Sequence, residues 1–159
     1  MNTLKRAIAT FFFTGYSPVA PGTCASVLSA GIYVAVAYAF PCHTGAIVGA
    51  FIIVALGANL WTGRWAQNAF GGSDPQKMVV DECLGYFAAT FLVSGPEPWL
   101  TALLALGLFR LFDIAKPYPI RRLEKLPGAW GLAMDDLAAG ICANVVLQAG
   151  LMFYRFART

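Results

Sequence analysis

The chain has 159 residues, enough for one domain, yet it is 58% hydrophobic with a mean hydropathy of +0.65, too apolar for an ordinary soluble protein. Charged residues make up only 12%, and the net charge of +3 gives no argument for a nucleic-acid partner. Cys24, Cys42, Cys83 and Cys142 are scattered, with no CxxC pair and no histidine spaced to complete a zinc site, so they read as small apolar packing residues.

Lys5 and Arg6 before AIATFFF resemble the start of a signal peptide, but the apolar run is short and Pro18 and Pro21 follow in place of a cleavage site, so the segment is expected to be retained. No Asp, Glu, Lys or Arg lies between Arg6 and Arg64, an interval long enough for two membrane spans. The first is expected over 23–40, closed by Pro41. After a PCHTG turn the second covers 46–63. RWAQNAFGGSDPQK, 64–77, is polar and glycine-rich and reads as a loop with at most a helical turn.

MVVDECLGYFAATFLVS, 78–94, is the third candidate, ended by GPEP. Its uninterrupted apolar part, 83–94, would extend only about 18 Å as a helix, against a hydrocarbon core of roughly 30 Å. It must begin near Met78, tilt little, or be re-entrant. WLTALLALGLFRLFDIA, 99–115, is the next helix and must stop before Pro117, since a residue preceding proline is pushed out of the α region. A basic loop, KPYPIRRLEKLPGAWG, leads to a last helix over 132–156. The expectation is an all-α polytopic membrane protein, one membrane-embedded domain over 1–159 with four to five transmembrane helices.

Lys5, Arg6, Arg64, Lys77, Lys116, Arg121, Arg122 and Lys125 fall in the N-terminus or in alternate loops, whereas PCHTG and SGPEP carry no Lys or Arg. With alternating spans these eight share one side, which the positive-inside rule makes cytoplasmic. Arg155 and Arg158 would lie on the other side.

Asp74, Glu97 and Glu124 sit in polar loops and ask for no explanation. Asp81, Glu82, Asp113, Asp135 and Asp136 are flanked by apolar helix, where ionisable groups are costly and usually mark function. The topology brings all five to one face of the membrane. Each acidic pair could instead be a pair of helix N-terminal acids favoured by the macrodipole. Asp113 cannot, because it lies at the end of its helix; its plain alternative is an i, i+3 ion pair with Arg110. Arg110, Asp113 and Lys116 fall within about 120° of helical arc, a polar stripe facing a site.

Carboxylates without a neighbouring histidine suit a hard divalent cation, Mg²⁺ above all. Lys116, Arg110 and Arg121 beside them suit an anionic substrate. At a membrane face, that combination implies phosphate chemistry on a lipid or polyprenyl carrier. In TGYSPVAPGTCAS, Gly22 and Thr23 follow Pro21 where a helix starts, a natural anion site, though a plain loop with Thr23 as N-cap fits equally.

Four stretches, SPVAPGT, DECLG at 81–85, FRLFDIAKPYPI at 109–120 and GLAMDDLAAG at 131–140, resemble the phosphatidylglycerophosphatase A family in order and spacing. Ala25 departs from the family's usual glycine in the first motif. The resemblance implies a Mg²⁺-dependent phosphatase of the bacterial inner membrane, hydrolysing phosphatidylglycerophosphate to phosphatidylglycerol and phosphate with its active site facing the cytoplasm. Carried over by motif, Asp81, Glu82, Asp113, Lys116, Asp135 and Asp136 would form the active site; read from the residues themselves, the five acids are metal ligands and Gly22, Thr23, Arg110 and Arg121 are substrate-binding residues. Either metal-assisted attack by water or an aspartyl-phosphate on Asp113 fits these residues.

Competing readings are a phosphatase or phosphotransferase acting on another lipid or polyprenyl phosphate and, from a different class, a small ion transporter. The D-G-x-x-A-R…G-x-x-x-D-x-x-x-D helix of CDP-alcohol phosphotransferases is absent, as are D-x-D-x-T and a Walker loop. The one histidine, His43, lies in the turn opposite the acids. A transporter would carry polar residues through the bilayer midplane, where these spans are apolar apart from isolated residues such as Asn144. No feature of the sequence specifies an oligomeric state.

Overall fold

The computed structural model describes residues 2–72, 75–95 and 97–157, which fold as helices with no strand among them. Asp74 and Arg158 lie outside the described residues. The helices are α1 (Asn2–Ala9), α2 (Pro21–Ala39), α3 (Thr44–Phe70), α4 (Val80–Thr90), α5 (Pro98–Ala115), α6 (Ile120–Leu123) and α7 (Ala129–Phe156). Four segments are long and apolar enough to cross a membrane: Pro21–Ala39, Pro41–Phe70, Pro98–Ala115 and Ala129–Phe156. The protein is therefore an all-helical polytopic membrane protein. Trp61, Trp99 and Tyr38 are exposed on the outside of the bundle, the kind of residue that anchors helices at membrane interfaces.

Three boundaries differ from expectation. α3 does not stop near Arg64 but runs on to Phe70, where Gly71 (φ 83) takes over as C-cap. The extension is amphipathic rather than apolar: Ala66 is buried, and Trp65 and Phe70 pack on the cluster of Ala9, Met78, Val80 and Leu132, while Arg64 is exposed. α2 starts at Pro21, so Thr23 is already inside the helix and is not its cap; the N-cap is Ala20 in a left-handed conformation, with no side-chain bond. α7 starts at Ala129, three residues early.

The short third segment is the middle of the bundle. α4 packs against α2, α3, α5 and α7, and of its residues Glu82 alone is not buried. Apolar all round, it is a core helix and need not match the bilayer. Residues 91–95 complete the crossing without helical structure and meet the start of α3, where Gly45 and Gly49 leave room for Leu92 and Phe91. Non-helical backbone at that depth must be satisfied by protein. Asn144 of α7 does this, donating to the carbonyls of Ala89 (3.1 Å) and Phe91 (2.8 Å), and Gln148 supports it by donating to Asn144 Oδ1 at 2.7 Å. Arg155, one of the two cations expected on the sparse side, donates to Ser94 O. These contacts explain both the isolated Asn144 and the misplaced positive charge.

α4 and α7 run parallel, both starting at the same end, and approach to backbone contact. A Cβ on Gly140 would overlap Gly85 O, and one on Gly85 would meet the Phe109 ring and Asp136 O. Small residues at such a crossing let helices pack closely in a membrane. Gly85 lies one turn beyond Asp81–Glu82, and Gly140 one turn beyond Asp135–Asp136. The glycines therefore set the separation of the two acidic pairs.

Candidate active site

The starts of α2, α4 and α7 and the end of α5 surround a cavity of about 540 Å³. Asp81, Glu82, Asp113, Asp135 and Asp136 all line it, with Arg110, Lys116 and Gly22. Five acids from three separate segments thus reach one space. Asp81 and Glu82 occupy the first turn of α4. Asp135 and Asp136 are the seventh and eighth residues of α7, beyond its first turn, so the helix dipole does not account for them.

Asp81, Glu82 and Asp136 each offer a ligand oxygen within 4.8 Å of the other two. Asp81 and Asp136 are 5% and 6% exposed, and Glu82 Oε2 is buried without a hydrogen-bond partner. An all-oxygen, histidine-free donor set of this spacing fits a hard cation such as Mg²⁺. Charge argues the same way. Among the described residues six carboxylates line the cavity, counting Glu124, against two cations. Crowded buried carboxylates are relieved by taking up protons or a cation.

Asp113 and Asp135 stand outside that triad and are ion-paired. Arg110 Nη1 lies 2.7 Å from Asp113 Oδ2, off the axis of a good hydrogen bond, while its Nε is buried with no partner. The i, i+3 pair and the polar stripe are therefore both present, since the pair faces the cavity. Lys116 Nζ donates to Asp135 Oδ2 at 2.7 Å and lies 3.6 Å from Glu124 Oε1. Burial lowers the Lys116 pKa, but the hydrogen bond and charge of Asp135 outweigh it, leaving the ammonium harder to deprotonate than an ordinary lysine. Lys116 is the C-cap of α5, held left-handed at φ 39 with its N–H on Phe112 O at 2.8 Å, and Pro117 prevents the helix continuing.

Gly22 is at the cavity wall for a steric reason: a Cβ there would overlap Glu82 Oε1 and crowd Arg110 Nη1. Its N–H and that of Thr23 belong to the first turn of α2, where donors have no partner within the helix. The Thr23 side chain and Arg121 do not line the cavity; Arg121 is exposed on α6. Glu124, expected to be an uninvolved loop acid, does line it and approaches Lys116. Gln67 on the unforeseen extension of α3, and Gln76 just before α4, are further lining residues. The polar amphipathic run after Arg64 was the signal for Gln67. His43 lies at the opposite end of the bundle, beside the start of α3.

Carboxylates, an arginine and a lysine converging at one end of an apolar helical bundle define a membrane enzyme built for phosphorylated lipids. Residues 7–151 match the phosphatidylglycerophosphatase A family. The chain belongs to that family and is a lipid phosphatase. A Bacteroides thetaiotaomicron protein named "Putative phosphatidylinositol-3-phosphatase" is 32% identical over 88% of this chain and 89% of its own length. The Escherichia coli protein named phosphatidylglycerophosphatase A is 24% identical over 97% of this chain and 84% of its own. One of the same name from Haemophilus influenzae is 40% identical over 50% of this chain and 48% of its own. No solved structure matches the chain.

Proposed function

We propose that this enzyme is a Mg²⁺-dependent phosphatidylglycerophosphatase of a bacterial inner membrane, with the cavity opening on the cytoplasmic side. The observation that carries the reading is the triad of Asp81, Glu82 and Asp136, with Glu82 Oε2 unpartnered, in one cavity with Arg110 and Lys116. These three carboxylates would hold the cation, which supplies charge neutralisation of the phosphate and activation of water. Arg110, through its unpartnered Nε, and Lys116 bind phosphate oxygens. The N–H groups of Gly22 and Thr23 add donors from the start of α2. Asp113 and Asp135 hold the two cations in place, and the oxygen of Asp113 not facing Arg110 accepts the proton of the attacking water. The water oxygen bonds to phosphorus as the bond to the glycerol oxygen breaks; that oxygen leaves with the electron pair and takes a proton from solvent.

The orientation is supported by the cavity end of the bundle carrying Lys116, Arg121, Arg122 and Lys125. Arg121 and Arg122 are exposed and suit anionic headgroups of the surrounding lipid. The name of the Bacteroides relative favours one second reading, a 3-phosphorylated inositol lipid as substrate. Phosphate release from purified protein, given phosphatidylglycerophosphate, phosphatidylinositol 3-phosphate, phosphatidic acid and glycerol 3-phosphate in turn, distinguishes them. The proposal expects the first to be preferred. Preference for the inositol lipid selects the second reading, and preference for the soluble ester defeats both.

A further inference from the structure

Three consecutive phenylalanines follow α1, and all three are left-handed: Phe11 at φ 40, Phe12 at φ 54 and Phe13 at φ 69. Bulky residues rarely adopt that backbone, and it persists only where surrounding structure imposes it. Here Phe12 N donates to Ala7 O at 2.8 Å, Phe13 N donates to Thr10 Oγ1 at 3.2 Å, and Gly15 packs against Lys77 O. Phe11 turns inward onto the core. Phe12 and Phe13 gain no such burial, being 73% and 51% exposed, and Tyr16 and Val19 are exposed beyond them. Contacts within the chain therefore do not explain a strained turn that displays apolar rings. Its position says what covers it. Val19 stands two residues before α2, a membrane span, so the patch continues the lipid-facing surface of the bundle. Cations surround it: Arg6 is exposed on α1, Lys5 Nζ lies 5.3 Å from the Trp61 ring centroid, and Lys77 Nζ lies 5.2 Å from that of Tyr16. Aromatic rings among cations suit the interface of an anionic membrane. The same short segment is the cavity rim, since Pro18, Ala20, Pro21 and Gly22 line the cavity while Val19 is exposed between them.

We infer that Phe12, Phe13, Tyr16 and Val19 insert into the anionic leaflet at the cavity end of the bundle, and thereby seat the cavity rim at the headgroup layer from which the lipid substrate enters. Four spans anchor the chain, so the turn contributes position rather than attachment. Burial in the leaflet removes the rings from water, which offsets the backbone strain. Lys5, Arg6 and Lys77 meet the anionic headgroups around them. A lipid still in the bilayer then reaches the carboxylates across the seated rim, whereas a water-soluble analogue has no need of it. This catalytic consequence rests on the lipid phosphatase reading of the cavity; the insertion itself does not.

The test uses the full chain in vesicles of phosphatidylcholine and phosphatidylglycerol. Phe12→Trp and Phe13→Trp are made singly, and the added emission is read as the difference from the wild type with its four tryptophans. Lipids brominated near the headgroup end of the acyl chain are expected to quench that emission, and aqueous iodide to leave it unchanged. Quenching by iodide and not by the brominated lipid overturns the insertion. The double variant Phe12→Ser, Phe13→Ser then separates seating from folding. Both side chains are exposed, so its melting temperature should hold. Its kcat/KM for long-chain phosphatidylglycerophosphate in the vesicles should fall about tenfold, with the value for the water-soluble dibutanoyl form unchanged. Equal losses on both lipids, or no loss on either, overturn the role of the turn at the rim. If the wild type hydrolyses neither lipid, the functional reading has failed, and the quenching still decides whether the turn inserts.

Discussion

Lys116 and Asp135 are joined by a 2.7 Å hydrogen bond between Nζ and Oδ2, tying the end of α5 to the start of α7 across the site. Asp135 is 6% exposed, so its partner is part of what makes a charge tolerable there. Lys116→Met should cost about 1–3 kcal/mol of stability by leaving that carboxylate unpaired, and should reduce turnover about 10²-fold by removing a phosphate ligand. Melting temperature and turnover per folded molecule are both needed. A variant that loses stability but keeps turnover would confine Lys116 to a structural role.

Asp113→Asn keeps shape and removes charge. Turnover should drop about 10²-fold or more, equivalent to about 2.7 kcal/mol of barrier. Stability should change little, because Arg110 retains Glu82 nearby: both approach the same face of Gly22. Glu97→Gln, exposed at the opposite end as N-cap of α5, is the matched acidic control and should cost almost nothing. Glu124 cannot serve, since it lies 3.6 Å from Lys116 Nζ at the cavity mouth. Near-normal turnover in Asp113→Asn would remove it from the catalytic group.

Gly22→Ala adds one carbon where Glu82 Oε1 and Arg110 Nη1 already sit. Either the carboxylate or the start of α2 must move, and a misplacement of about 1 Å at a reacting centre can cost 10²-fold. Thr23→Val, one residue on, leaves the backbone donors intact and has a side chain outside the cavity, so it should be nearly silent. The pair is compared by kcat and KM; equal effects would mean that the α2 start is not a packed wall of the site.

Asn144→Leu probes the end of α4 rather than the chemistry. It leaves the carbonyls of Ala89 and Phe91 without their donor at membrane depth. The expected cost is about 1–3 kcal/mol, read as a lower melting temperature with turnover per folded molecule unchanged. Loss of turnover without loss of stability would contradict the assignment.

The sequence made the site more legible than the bundle. Acids at positions 81, 82, 113, 135 and 136 stand out because charge in apolar helix is expensive, and one cavity gathers them all. The glycines at 85 and 140 were visible as motif letters, but their reason is a backbone contact between α4 and α7 that no local pattern encodes. α4 was hard to place because length is judged against the bilayer, and a helix enclosed by four others escapes that requirement. The run from Arg64 to Phe70 reads as loop because Arg64 and Asn68 face outward and Gln67 faces the cavity, while Ala66 is buried in the bundle. Glu124 is illegible for the opposite reason: a loop acid looks solvated until α5 ends with Lys116 turned toward it.

The central claim is that Asp81, Glu82 and Asp136 hold the cation that makes phosphate binding possible in a cavity of excess negative charge. Phosphate release from phosphatidylglycerophosphate, measured against Mg²⁺ concentration after exhaustive chelation for the wild type and Asp136→Asn, tests it most directly. The account predicts no release by the chelated wild type, full recovery on adding Mg²⁺, and a large rightward shift of the Mg²⁺ dependence, or no activity, in Asp136→Asn. Full activity of the chelated wild type, or an identical Mg²⁺ dependence in the variant, would contradict it.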